Sequence, residues 1–142
     1  MSKKTGLIAI IIALAAVCLA AAALYKSVNP SVGDRKDVQY VMYLGANDKD
    51  TNQPCGTEEE IKAKTEEILT KYFEGFTMQD AFGGWTNKDG SVAHEYTIVI
   101  LLSDTTSEKV HAAADELLKE FNQSTILIQT NETVTEFYSG SN

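Results

Sequence analysis

The first pattern along the chain is an uninterrupted apolar run. Residues Leu7–Leu24 read LIAIIIALAAVCLAAAAL and contain no charged residue, with Lys3 and Lys4 before them and Tyr25 and Lys26 after them. At 1.5 Å per residue, a helix of this length spans about 27 Å, close to the roughly 30 Å hydrocarbon thickness of a bilayer. The run therefore predicts one N-terminal transmembrane helix, with anchor positions that include Leu7, Ile12, Leu14 and Leu24.

Two fates of this segment are compatible with the pattern. As an uncleaved anchor, it keeps Lys3 and Lys4 in the cytoplasm and places the rest of the chain outside, following the positive-inside bias. As a signal peptide, it is cleaved after Ala22 or Ala23 and the protein is secreted. The run is longer than the roughly 7–15 residues of a signal-peptide core, so the favoured prediction is a single-pass membrane protein with its C-terminal domain outside the cytoplasm.

The remaining residues form a polar linker followed by short amphipathic segments. Residues 27–37 are rich in Ser, Asn, Pro, Gly and charged residues, which predicts a linker. Runs of β-branched and aromatic residues predict strands, and apolar stripes at helical spacing predict helices. The predicted strands are 38–44, 76–82, 93–103 and 125–129 with an extension over 133–138, and the predicted helices are 57–72 and 106–121.

The order of these elements, β-α-β-β-α-β, predicts the fold class. Thr57 and Glu60 form a capping box at the start of the first predicted helix, and Asp89-Gly90 is a hairpin signal between the second and third strands. The order is that of an α+β, ferredoxin-like sandwich with a four-stranded antiparallel sheet and both helices on one face. The predicted divisions are an anchor or signal segment (1–26), a linker (27–37), the ferredoxin-like extracytoplasmic domain (38–138) and a frayed tail (139–142).

Three segments of this domain resemble a known family. They are Tyr40–Gly45 (YVMYLG), Thr77–Trp85 (TMQDAFGGW) with Asp89-Gly90 following, and Glu95–Leu102 (EYTIVILL). Across roughly residues 38–138, the chain resembles an uncharacterised family of small exported bacterial domains with a ferredoxin-like fold. The resemblance implies the fold and the export, and it implies no reaction or ligand because the family has no established activity.

Charge and cysteine content narrow the classes of partner. Three of the 12 basic residues and none of the 20 acidic residues lie in residues 1–26, so the remainder has a formal charge of −11. An acidic domain argues against nucleic acid, which requires clustered Lys and Arg, and against anionic lipid headgroups. Cys55 is the only cysteine outside the apolar run, which excludes a disulfide within the domain. No nucleotide-binding or nucleophile motif occurs, and no cofactor is predicted.

The candidate ligand-binding residues lie on the first strand and at the start of the hairpin. Gly83 and Gly84 beside Trp85 suggest a close backbone approach next to an aromatic ring, as in a ligand pocket, and the alternative is a β-bulge packed under the Trp. Tyr40 and Tyr43 fall on opposite faces of the first strand, because their separation is odd. One of the two is therefore expected in the core and the other on the open face of the sheet.

Two further sets of polar residues are candidates for chemistry. Asp80, His94 and Glu95 are the candidates for an acid–base site, which requires Asp80 to approach one of the other two across the hairpin. The alternative is a structural or solvated role for all three. The second set lies in the loop after the first strand and echoes an EF-hand, but Gln53 replaces the required glycine and a strand precedes the loop. No metal site is predicted, and the calcium candidates are Asp48, Asp50, Asn52 and Glu59.

Taken together, the patterns predict a binding module without enzymatic activity. It is anchored to the membrane through residues 7–25 and binds an unknown small ligand or an envelope protein through its open sheet face and the Gly83–Trp85 segment. A homodimer through the same face is also predicted. The alternatives are a small enzyme that uses Asp80, His94 or Glu95 and a purely structural envelope protein.

Overall fold

A computed structural model describes residues 3–28 and 36–140 of the chain. It separates into two compact units, residues 1–36 with 136–142 and residues 37–135. Most of the predicted linker and the end of the predicted tail fall on residues 29–35 and 141–142, outside the described residues.

The first unit contains helix α1, Lys3–Val28. The side chains of residues 12–25, which include Ile12, Leu14 and Leu24, are all exposed, and that of Leu7 lies outside the described residues. Within the described part of the chain, no helix has both the length and the apolar character needed to cross a membrane. A helix is thus present where one was predicted, and its assignment as a transmembrane helix is unsupported.

The second unit contains a four-stranded antiparallel sheet and two helices. The strands follow one another across the sheet in the order β2-β3-β1-β4, which confirms the α+β, ferredoxin-like class. The elements are β1 (Lys36–Gly45), α2 (Glu58–Leu69), β2 (Thr77–Thr86), β3 (Val92–Leu102), α3 (Ser107–Glu120) and β4 (Leu127–Val134).

The core lies between the two helices and one face of the sheet. Side chains alternate between the faces of a strand, so Met42 and Leu44 of β1 point to the same side as Ile98 and Ile100 of β3. All four are 0–1% exposed. Both helices bury their apolar stripes in the same cluster, and the stripe residues are Ile61, Ile68, Leu69, Val110, Ala113 and Leu117. Both helices therefore cover one face, as the element order predicts.

The capping box at the start of α2 is confirmed. The Thr57 hydroxyl oxygen accepts from the Glu60 amide at 3.2 Å, and the Glu60 carboxylate accepts from the Thr57 amide at 2.8 Å. The helix ends at Leu69, three residues before the predicted end. After Leu69 the chain forms a tighter turn, in which the Tyr72 amide donates to the carbonyl of Leu69 three residues earlier.

The β2–β3 hairpin is longer than predicted. Thr77–Thr86 pairs residue by residue with Leu101–Val92, so Gly83 and Gly84 belong to the strand and not to a loop. The pairing of β1 with β3 ends at Gly45 opposite Thr97, and the outer part of the hairpin extends past this point. We call residues 82–95 the hairpin arm. The last strand ends at Val134, so the predicted extension over 133–138 stops after two residues.

Candidate functional site

The face of the sheet opposite the helices combines apolar residues with uncharged polar residues. We call this the open face and define it by the paired positions Val41, Tyr43, Gly45, Thr77, Gln79, Ala81, Gly83, Trp85, Ala93, Glu95, Thr97, Val99 and Leu101. Val41, Val99 and Leu101 are partly exposed and form neighbouring rows, with Val41 opposite Leu101 and Tyr43 opposite Val99. Glu95 is the one charged residue among these positions, although the whole chain carries a net charge of −8.

The Glu95 side chain lies close to the sheet backbone because residues near it on both flanking strands, Gly45 and Gly83, are glycines. A Cβ at Gly45 of β1 would come within 2.5 Å of both Glu95 carboxylate oxygens. Gly83 of β2 is directly opposite Glu95, and a Cβ there would lie 3.4 Å from Glu95 Cγ and 2.5 Å from Thr97 Oγ1. Glycine at both positions therefore leaves room for the glutamate side chain between the strands.

One backbone amide holds the carboxylate in place. The amide of Asn47 donates to Glu95 Oε2 at 3.3 Å, while the Asn47 side chain donates to the His94 carbonyl at 3.3 Å. Asn47 is itself buried, and its carbonyl accepts from the Gln123 side chain. Among the described residues, no Lys or Arg forms an ion pair with Glu95.

Three of the five predicted ligand-binding residues lie on this face. Tyr43 donates its hydroxyl proton to Gln129 Oε1 of β4 at 3.1 Å, and Trp85, 41% exposed, donates to Asn87 Oδ1 at 3.1 Å. Gly83 lies directly opposite Glu95, two residues before Trp85 on β2. The register places these residues on one side of the sheet, with Trp85 two residues from the level of Glu95 and Tyr43 four residues from it, about 13 Å along β3.

The other two predicted ligand-binding residues lie on the helix side. Tyr40 is 9% exposed within the core, which confirms that Tyr40 and Tyr43 occupy opposite faces. Gly84 faces His94, whose Nδ1 would lie 3.1 Å from an added Cβ. The strand pairing is unbroken through Gly83 and Gly84, so the alternative of a β-bulge at these residues is wrong.

Asp80 belongs to a different cluster, on the helix side of β2. It accepts from Lys62 Nζ of α2 at 2.8 Å and from the Tyr96 hydroxyl at 2.6 Å. The hydrogen bond from Lys62, and to a smaller extent that from Tyr96, lowers the pKa of Asp80. Burial, and to a smaller extent the hydrogen bond to Asp80, raises the pKa of Tyr96. The sequence pattern gave no indication of Lys62 or Tyr96, because their meeting depends on where α2 crosses the sheet.

The acid–base candidates do not converge. Asp80 pairs with Ile98 and His94 pairs with Gly84, so the two lie four residues apart along the hairpin, about 13 Å. The His94 ring stacks on Phe82 with 5.1 Å between ring centroids, and Glu95 lies on the opposite face from His94. The structure therefore separates Asp80, His94 and Glu95 into three environments.

The loop that contains the calcium candidates is held by side-chain amides and backbone amides. Asp48 accepts from Asn122 Nδ2 and from the Thr51 amide, each at 2.8 Å, and these bonds lower its pKa to about 2. The same Asn122 amino group donates to Asp50 at 2.8 Å, while Glu59 belongs to the first turn of α2. Over residues 36–140, no group of three or more His, Cys, Asp or Glu is arranged to hold a metal ion.

Solved structures with a similar fold include a phage SAM lyase in complex with S-methyl-5'-thioadenosine. It has a TM-score of 0.51 and 19% identity, over 72% of this chain and 93% of the lyase chain. CutA from Synechococcus elongatus has a TM-score of 0.45 and 11% identity, over 70% of this chain and 78% of that chain. The divalent ion tolerance protein CutA1 from Ehrlichia chaffeensis has a TM-score of 0.44 and 14% identity, over 76% of this chain and 85% of that chain. At these identities, the likeness to the lyase shows a shared fold.

Sequence comparison agrees with the predicted resemblance to an uncharacterised family. No curated protein matches the chain. The family described as "Protein of unknown function (DUF3574)" matches residues 39–137, which covers the sheet and both of its helices. The chain therefore belongs to the DUF3574 family.

Proposed function

We propose that this protein is a binding module without enzymatic activity, and that its open face binds a small ligand. One observation carries the proposal: in a chain with 20 acidic and 12 basic residues, Glu95 is the one charged residue among the paired positions of the open face, which include the partly exposed Val41, Val99 and Leu101. Contiguous apolar surface of this kind is typical of interaction sites and ligand grooves. The Trp85 ring supplies contact area near Glu95, whereas Tyr43 lies about 20 Å from Trp85 along the sheet and contacts a separate part of the face.

The separation of the polar candidates favours binding over catalysis. General acid–base catalysis requires its groups within about 3 Å of the same reacting atoms. Asp80 is already engaged by Lys62 and Tyr96, and His94 lies on the other face from Glu95. A small enzyme that uses these residues together has no comparable support.

A thermal-shift screen of the full chain in detergent tests the binding proposal. The screen covers metabolites and includes S-methyl-5'-thioadenosine, the compound bound to the phage lyase. A ligand at 100 times its Kd stabilises the folded protein by about 2.7 kcal/mol. We expect Trp85→Ala to abolish the shift and Phe82→Ala, on the opposite face of the same hairpin arm, to leave it intact. If no compound shifts the transition, the proposal is wrong and the structural alternative is favoured.

A homodimer through the open face is the second candidate function of this surface. It is supported by the neighbouring rows of Val41, Leu101 and Val99, which a second copy would cover. Light scattering of the full chain in detergent should then give the mass of a dimer. Val99→Lys should give a monomer, because it buries an unpaired charge, whereas Val92→Lys on the exposed helix side of the hairpin arm should not. A monomeric wild type refutes this candidate.

We also propose that residues 7–25 attach the protein to a membrane, with the domain outside the cytoplasm. The support is the uncharged run that follows Lys3 and Lys4. Alkaline carbonate extraction of cell membranes should leave the chain in the pellet, and external protease should digest the domain in spheroplasts. A shortened protein in the medium would instead show cleavage and secretion.

A further inference from the structure

We infer that Glu95 determines the specificity of the open face and that the ligand is a small organic cation. The inference rests on the proposed function, because it names the class of ligand for the same face. Glu95 carries the one carboxylate among the positions that define this face. Of the described residues, only the Asn47 amide donates a hydrogen bond to Glu95, at 3.3 Å to Oε2, and no basic side chain pairs with it.

The position of this carboxylate depends on two glycines. Glycine weakens the interior of a strand and marks places where another group approaches the backbone closely. Gly83 is directly opposite Glu95 on β2 and Gly45 is its diagonal neighbour on β1, and a Cβ at Gly45 would displace the carboxylate. The sheet therefore has a shallow depression at Gly45 and Gly83, with the Glu95 carboxylate lying over it.

Trp85 lies on the same face as the carboxylate, on the other strand that flanks β3. Trp85 follows Gly83 by two residues on the same face, about 7 Å along the strand, and diagonal cross-strand neighbours at this spacing are within reach of an aromatic side chain. A cationic ligand that contacts Glu95 and extends across β3 can thus also reach the Trp85 indole, and the two attractions reinforce each other.

The charge of the whole chain selects the same class of ligand. A net charge of −8 concentrates cations near the surface and repels anions. A neutral apolar ligand that covered Glu95 would leave a carboxylate desolvated and unpaired, which is strongly unfavourable. An ammonium group with a small apolar body satisfies the carboxylate and also covers the apolar rows.

Choline and its uncharged isostere 3,3-dimethylbutan-1-ol are the probes, and Trp85, the only tryptophan of the chain, is the reporter. With the full chain in detergent, choline should change the Trp85 fluorescence saturably and the isostere should not. Glu95→Gln keeps an acceptor for the Asn47 amide but removes the charge, and it should weaken choline binding at least tenfold. Glu132→Gln, an exposed residue of β4, makes the same change in net charge and should leave the affinity unchanged.

The outcomes separate this inference from the proposed function. If choline binds Glu95→Gln as tightly as the wild type, or if the isostere binds equally well, the inference is overturned. If the metabolite screen finds neutral or anionic ligands while choline does not bind, the binding function stands and the cationic ligand is refuted. If neither assay detects any ligand, the proposed function fails together with the inference.

Discussion

Replacing Gly45 with alanine tests the packing of Glu95 directly. The new Cβ would lie 2.5 Å from Oε1 and Oε2 of Glu95, closer than real Cβ contacts, so the carboxylate has to move. The obstructing atoms are the far end of a flexible, partly exposed side chain, so the carboxylate can move aside and loses only its hydrogen bond from the Asn47 amide. Loss of a hydrogen bond of this kind costs about 0.5–1.5 kcal/mol, and loss of glycine flexibility in the unfolded chain returns about 0.4–1 kcal/mol. We therefore expect Gly45→Ala to change the free energy of unfolding by no more than about 1 kcal/mol.

A double-mutant cycle assigns that cost to the contact. In a Glu95→Ala background the obstructing carboxylate is absent, so Gly45→Ala should become neutral or stabilising. Urea unfolding of the full chain, followed by Trp85 fluorescence, gives the four free energies, and their coupling should be about 0.5–1.5 kcal/mol, the cost of the displaced hydrogen bond.

Gly75→Ala is the matched control. An added Cβ at Gly75 meets nothing within 4 Å, so this change should be neutral or stabilise the protein by up to about 1 kcal/mol. If Gly45→Ala costs the same whether or not Glu95 is present, the proposed position of the carboxylate over Gly45 is wrong.

Three further predictions concern the stability of the domain. Leu44→Ala, at a fully buried core position, should lower the free energy of unfolding by about 2–5 kcal/mol in urea titration, and a loss under 1 kcal/mol would contradict the core described here. Thr57→Ala removes the N-cap of α2 and should cost about 1 kcal/mol, with a matching drop in Tm. The pKa of Asp48 is about 2 in the folded protein, below its ordinary value of 3.8. Its contribution to folding stability is therefore present above about pH 4 and is lost as the pH falls toward 2. Asn122→Ala should shrink that acid-dependent loss in thermal melts between pH 5 and pH 2, and an unchanged slope would contradict the assignment.

Local sequence signals were sufficient to predict the order and class of the elements. Met42, Leu44, Ile98 and Ile100 belong to apolar strand segments, and the capping box of Thr57 marks the start of α2 within one residue. These signals act over a few residues, so they can be recognised without knowing which strands pair. The same local reasoning placed Tyr40 and Tyr43 on opposite faces.

The candidate site required information that local patterns do not contain. Gly83 and Gly84 are typical of loops, yet both pair within the strand because β3 continues opposite them. Glu95 and Gly45 are fifty residues apart in the sequence and meet only through the register between β1 and β3. The cluster of Lys62, Asp80 and Tyr96 depends in the same way on the path of α2 over the sheet.

Glu95 also links the two proposed uses of the open face. If two copies paired through this face, each would place a carboxylate in a charge-poor interface, and burying a charge without a partner costs several kcal/mol. An organic cation bound at Glu95 would remove that cost on both sides. A homodimer of this protein should therefore be tightened by the same ligand that Glu95 selects, and without the ligand Glu95→Gln should dimerise more tightly than the wild type. Light scattering of the wild type and Glu95→Gln, with and without choline, decides between coupled and independent use of the face.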